Sequence, residues 1–125
     1  MNVKKTVNEL KAEYPGKKII FDDPKNPSEI IVELEPTRDH PERSLALAVV
    51  GKSKPHYHKA TTEIYEVVKG TLKLTINNQV FSLNPGQKKT IKPNQIHSAT
   101  GIETWFLTHS KPGWTFDDHI LANNK

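Results

Sequence analysis

Between Lys18 and Thr108 the apolar residues come in short runs of period-two alternation, and Gly, Pro and Asn fill the gaps between them. Such runs are too short for helices and have the repeat of strands. Residues 18–21 form the first, closed by Asp22-Asp23-Pro24. Residues 29–35 form a longer one, closed by Pro36, and a polar loop over 36–43 follows. Residues 44–50 are apolar on both faces, which predicts a strand covered on both sides. Residues 63–68 come next, ended by Lys69-Gly70. Leu72, Leu74 and Ile76 then alternate with polar neighbours, and Asn77-Asn78 fits a two-residue hairpin turn because Asn tolerates positive φ. Residues 80–83, 90–92, 97–99 and 104–108 complete the set, with Asn84-Pro85-Gly86 as a turn and Thr100-Gly101-Ile102-Glu103 as a hairpin tip. About nine short strands at this spacing predict an all-β sandwich or barrel.

Outside that region, Val3, Val7, Leu10 and Tyr14 make a helical stripe that Pro15-Gly16 ends. Thr6-Val7-Asn8-Glu9 also fits a capping box, which would start the helix later. The tail from Lys111 is expected to fold back through Trp114 and Ile120. At 125 residues the expectation is one domain, 1–125. Its barrel core spans about 44–108, with the helix and first strands over 1–43 and a tail over 109–125. No cysteine is present, which excludes disulfides, thiolate metal sites and cysteine nucleophiles. No apolar run is long enough to span a bilayer, and no secretory h-region follows Met1, so no membrane partner and a cytoplasmic location are expected. The formal charge is +4. The lysines are scattered in twos without interleaved aromatics, so nucleic acid is not an expected partner. Lys52, Lys54 and Lys59 do flank the motif described next, where they could attract a carboxylate or phosphate.

That motif runs from Gly51 to Gly70 and holds His56, His58 and Glu63; His97 follows in Pro93-Asn94-Gln95-Ile96-His97. Two histidines two residues apart in a strand point to one face. Glu63 can meet them if a short loop leads into the next strand, and His97 can arrive from a facing one. Three imidazoles and one carboxylate suit iron, manganese, nickel, cobalt or zinc better than calcium or magnesium.

These residues resemble the cupin superfamily. Gly51, His56, His58, Glu63 and Gly70 fill its first motif, with four residues rather than five between Gly51 and His56. Gly86 and His97 keep the separation of its second motif. There Pro93 falls one place late, Asn94 stands at the second Gly position and Gly101 replaces the motif's Asn. The resemblance covers roughly residues 44–108 and implies a double-stranded β-helix, or jelly-roll barrel, holding a divalent transition metal on His56, His58, Glu63 and His97. The whole chain also resembles small single-domain cupins of the mannose-6-phosphate-isomerase-like type, and cupin-like barrels associate through edge strands, so a homodimer is a possible assembly.

A centre of this kind leaves coordination positions open for a small-molecule ligand or substrate. The leading expectation is a small metal-dependent enzyme acting on a polar molecule such as a sugar or sugar phosphate, in the manner of an isomerase or epimerase. The alternatives are a metal-assisted binding or sensor module, a non-haem iron dioxygenase, and a domain in which metal only ties strands together. Isomerisation needs a base near the metal, and no carboxylate beyond Glu63 stands out; Glu66 falls on the opposite face. Tyr65 shares the face of Glu63 and is the one candidate catalytic side chain, as a hydrogen-bond donor or else a core residue. Tyr57 points away, Gln95 edges the pocket or caps a turn, and of Trp105 and Phe106 one faces inward. His40 is expected in solvent. His109 follows the last strand, with its ring at the edge of a pocket or outside it. His119, beside Asp117 and Asp118, is expected in a surface ion pair or a tail contact, since no serine or cysteine motif accompanies it.

Overall fold

The computed structural model describes residues 1–122. Helix α1 (Val3–Glu13) is followed by ten strands: β1 (Lys18–Phe21), β2 (Glu29–Glu35), β3 (Ser44–Lys52), β4 (His56–Tyr57), β5 (Thr62–Lys69), β6 (Leu72–Ile76), β7 (Gln79–Leu83), β8 (Lys88–Ile91), β9 (His97–Lys111) and β10 (Ile120–Leu121). All pairings are antiparallel. The sheet order is β1-β2-β3-β9-β4-β10, and β9 also pairs with β5 and β6. The C-terminal half of β9 lies between β3 and β5, while its N-terminal half reaches β4 and β6. One long strand shared by four partners curls the sheet into a half-barrel. No described helix is long and apolar enough to cross a membrane.

The curl separates two apolar layers. Inside lie Ala48, Val50, Tyr65, Val67, Leu72, Leu74 and Phe106. Outside, Leu47, Val49, Trp105, Ile30 and Val32 pack against Leu10 of the helix. Residues alternate between the layers along β3, as its two-sided apolar pattern requires. Trp105 and Phe106 divide as adjacent strand residues must, with Phe106 inward. Helix α1 starts at Val3 because the Asn2 side chain accepts a hydrogen bond from Lys5 N (3.1 Å). Thr6 therefore lies inside the helix, buried, instead of capping it.

Two expectations change. Residues 100–103 do not form a hairpin tip: β9 runs straight through them. A register shift against β3 and a positive φ of 49° at Glu103 mark a bulge, which bends a strand without ending it. Gly101 is required there, since a Cβ would lie 2.3 Å from Thr104 Oγ1. Strands β4 and β10, two residues each, are too short to leave a periodic signal. The turns hold as expected: Asn77 and Asn78 both have positive φ, as does Asn94.

Candidate metal centre and its cavity

Strand β4 presents His56 directly opposite His97, the first residue of β9. His58 leaves the end of β4 on the same side, and Glu63 enters from the start of β5. The four side chains are buried, and one donor atom from each lies within 4.8 Å of all the others. The order expected from the sequence thus becomes a single cluster.

The imidazoles are held in a common way. His56 Nδ1 meets Lys54 O at 2.8 Å, His58 Nδ1 meets Asp118 O at 2.9 Å, and His97 Nδ1 meets Gln95 O at 2.9 Å. A carbonyl only accepts, so each Nδ1 carries the proton and each neutral ring leaves Nε2 as a bare lone pair. Glu63 Oε1 lies 3.2 Å from Nε2 of both His58 and His97. All three atoms are buried without a hydrogen bond. Unsatisfied buried polar atoms cost about 1–3 kcal/mol each, and three pointing into one space fit a metal ion, which takes lone pairs from all of them.

The electrostatics favour the ligating forms of His56 and Glu63, while at His58 a metal would compete with the proton that Glu63 favours. Burial, then the nearby His97 and His119, pushes His56 down to about 3, so its ring is neutral. Burial works to raise Glu63, but the imidazoles of His58 and His97 outweigh it and hold the carboxyl well below its usual range. Burial likewise opposes charge on His58, yet Glu63 raises it in net. Neutral imidazoles and an ionised carboxylate are the forms a metal binds.

The tail contributes more than packing. The Asp118 carboxylate accepts from Lys59 N (2.9 Å), Ala60 N (3.1 Å) and Thr61 N (3.2 Å), clamping the loop between His58 and Glu63. Strand β10 pairs with β4. His119 stacks on His56 with centroids 4.1 Å apart and accepts from Trp114 Nε1 at 3.1 Å. Of the two expectations for His119, the tail contact is found and, among the described residues, the surface ion pair is not, and the contact reaches a member of the cluster. No local pattern could have revealed it, because the contact depends on where the tail docks.

A cavity of about 250 Å³ opens beside the cluster, lined by His56, Glu63, Tyr65, Phe106, Trp114 and His119 and by one face of β2. That face carries Glu29, Ile31, Glu33 and Glu35, since Ile30 and Val32 turn outward to the helix. These carboxylates were missed from the sequence. Their alternation with Ile30, Val32 and Leu34 was visible, but not which face of β2 would be the interior. Lys52, Lys54 and Lys59 are exposed and line none of the cavity. The expected pull on anions is thus absent from its wall, where Arg38 is paired with Glu33 at 3.2 Å.

Tyr65 is buried beside Glu63, and burial with the negative charge of Glu63 and Glu29 raises its hydroxyl well above its usual value, keeping it a neutral donor. Tyr57 is partly buried in the β4–β10 pairing. The Gln95 side chain caps the turn by accepting from Lys92 N at 2.8 Å. His109 faces away and pairs with Glu66 at 3.1 Å. His40 is partly buried rather than free in solvent, with Nδ1 2.6 Å from Arg43 O.

A curled antiparallel sheet with three histidines and one glutamate clustered inside defines a class of small β-barrel with a possible metal centre. Residues 45–103 match the family model described as the cupin domain, and the curled sheet has the cupin fold. Solved structures of the same fold include Streptomyces Pac13 in a variant with uridine (12% identity, 86% of this chain and 85% of that one, TM-score 0.74). KdgF from Halomonas is similar at 17% identity (81% and 91% covered, TM-score 0.66). A Thermotoga maritima protein described as a predicted oxalate decarboxylase matches at 16% identity (77% and 91% covered, TM-score 0.65). No curated protein matches the sequence significantly.

Proposed function

We propose that the protein holds a divalent transition metal on His56, His58, Glu63 and His97 and is an enzyme acting on a small hydroxylated molecule, in the manner of a sugar isomerase or epimerase. The observation that carries this reading is the pair of Nε2 atoms of His58 and His97, freed by Nδ1 bonds to carbonyls and left, with Glu63 Oε1, buried without a hydrogen bond beside a cavity. When bound, the metal supplies Lewis acidity to a carbonyl or hydroxyl oxygen. Glu63 and His56 are already in their ligating protonation states. Tyr65 offers a neutral hydroxyl donor at the cavity wall, and Phe106 and Trp114 exclude water from part of it. The carboxylates of β2 make an unphosphorylated substrate the better fit than a sugar phosphate. Pac13 is described as a nucleoside dehydratase, a name that suits this substrate class.

Elemental analysis of untagged protein, beside His58→Ala and Glu63→Gln, tests the centre. Near-stoichiometric metal lost in both variants is expected; failure of reconstituted wild type to take up metal refutes it. Loaded protein incubated with unphosphorylated aldoses and ketoses in D₂O then tests the chemistry. Deuterium at the carbon beside the carbonyl, absent with His58→Ala, supports the isomerase reading. Metal uptake with no exchange removes that reading and leaves a binding module.

A further inference from the structure

Glu29 is a carboxylate that no side chain among the described residues engages. It begins β2 opposite Val50 of β3 and lines the cavity on the same wall as Ile31. Its two companions on that strand face are tied down: Glu33 by Arg38 and Glu35 by Arg43. Among the described residues the Glu29 carboxylate has neither a hydrogen bond nor an ion pair, although its backbone N–H is bound to Asp22 (3.0 Å). Glu29 is partly buried, and a carboxylate drawn out of water is ordinarily paired, because desolvating one without a partner is costly. Glu63, whose Oε1 is one of the unsatisfied atoms of the metal cluster, lines the same cavity and points independently to a bound ligand there.

We infer that the Glu29 wall is a ligand subsite, where this carboxyl receives a hydroxyl or ammonium group of the molecule whose oxygen atoms face the His56–His58–Glu63–His97 centre. The inference rests on the proposed metal centre and narrows its ligand class to neutral or cationic hydroxylated molecules. Anionic ligands would meet Glu29 and Glu63 with the nearby lysines outside. Burial first, then the negative charge of Asp22 and Glu63, raises Glu29 from 4.5 to about 7. Near neutrality it is therefore able to accept a hydrogen bond as carboxylate or donate one as acid. Tyr65 lines the same cavity and adds a neutral hydroxyl donor there.

Hydroxamates of defined charge test this in cobalt-loaded protein, with the visible cobalt band as readout. Acetohydroxamate is the neutral probe, glycine hydroxamate adds an ammonium, and succinic monohydroxamate adds a carboxylate. A charge-assisted hydrogen bond corresponds to about tenfold or more in affinity. Wild type is expected to favour glycine hydroxamate over acetohydroxamate by about that factor more than Glu29→Gln does, and to bind the carboxylate probe weakest. Glu33→Gln, which alters a carboxylate already paired, should keep the wild-type preference. Equal preference in wild type and Glu29→Gln overturns the subsite while leaving the metal centre standing. If acetohydroxamate leaves the cobalt band of wild type unchanged, no open position faces the cavity. The proposed function and this inference then fall together.

Discussion

Replacing Asp118 with Ala separates the metal centre from the tail that supports it. The substitution removes the acceptors for three backbone N–H groups, Lys59, Ala60 and Thr61. The side chain is partly exposed, so the loss is comparable to deleting a helix cap, about 0.5–2 kcal/mol. Its structural effect is larger than its energy. The same residue's carbonyl orients His58, and the loop it clamps sets the distance from His58 to Glu63. Loss of such an outer partner of a metal-bound histidine lowers affinity about 10–100-fold. Competition with a chromophoric chelator measures this for zinc or cobalt. Hydrogen exchange at Ala122 N, bound to Pro55 O at 3.0 Å, reports whether the tail remains docked. The expected result is a 10–100-fold weaker site, faster exchange at Ala122 and an intact fold by circular dichroism. Unchanged metal affinity together with fast exchange would refute the argument, because the tail would then be loose without consequence for His58.

Leu10→Ala, at a fully buried position between the helix and the sheet, should cost about 2–5 kcal/mol in denaturant unfolding while leaving metal affinity unchanged, since the outer layer does not touch the centre. Gly101→Ala should destabilise by about 1–3 kcal/mol, because its Cβ meets Thr104 Oγ1; a variant as stable as wild type would contradict the bulge. In metal-free protein His56 titrates near 3 against 6.5 unfolded, so the unfolded chain binds the extra proton between those values and stability falls as pH drops through them. The difference between wild type and His56→Gln should therefore shrink with acidification by up to roughly 5 kcal/mol, measured by urea unfolding at several pH values; a constant difference rejects it. Glu29 has the opposite sign: its folded pKa of about 7 exceeds 4.5, so its contribution diminishes as pH rises through that window, and Glu29→Gln should remove that component.

The strands and ligands were legible for different reasons. Alternation at Leu72, Leu74 and Ile76 marks a strand because side-chain direction follows from local backbone geometry. The Asn77-Asn78 turn likewise depends on the φ preferences of two adjacent residues. The ligand set was readable through its spacing, which places His56 and His58 on one face and supplies Glu63 and His97 in order. The bulge at 100–103 was misread because a glycine in a polar stretch suits both a turn and a bulge. The deciding fact is the close approach of Thr104, itself bonded to Thr71 O at 2.8 Å. β10 could not be seen, since two residues carry no period, and β4 was expected only as the strand that would carry the histidines.

The sequence by itself determined that this chain makes strands rather than helices beyond residue 18, where most of them break, and which four side chains could share a metal. Those properties reside in local sterics and short spacings. Only the tertiary structure decided that the carboxylates of β2 face the cavity, that the lysines near the histidines do not, and that Asp118 and His119 reach back across some sixty residues to hold the centre. A strand has two faces, and a tail has many places to rest. The choice among them is made by what packs on the other side: here the helix, which takes Ile30 and Val32 and leaves Glu29 inside.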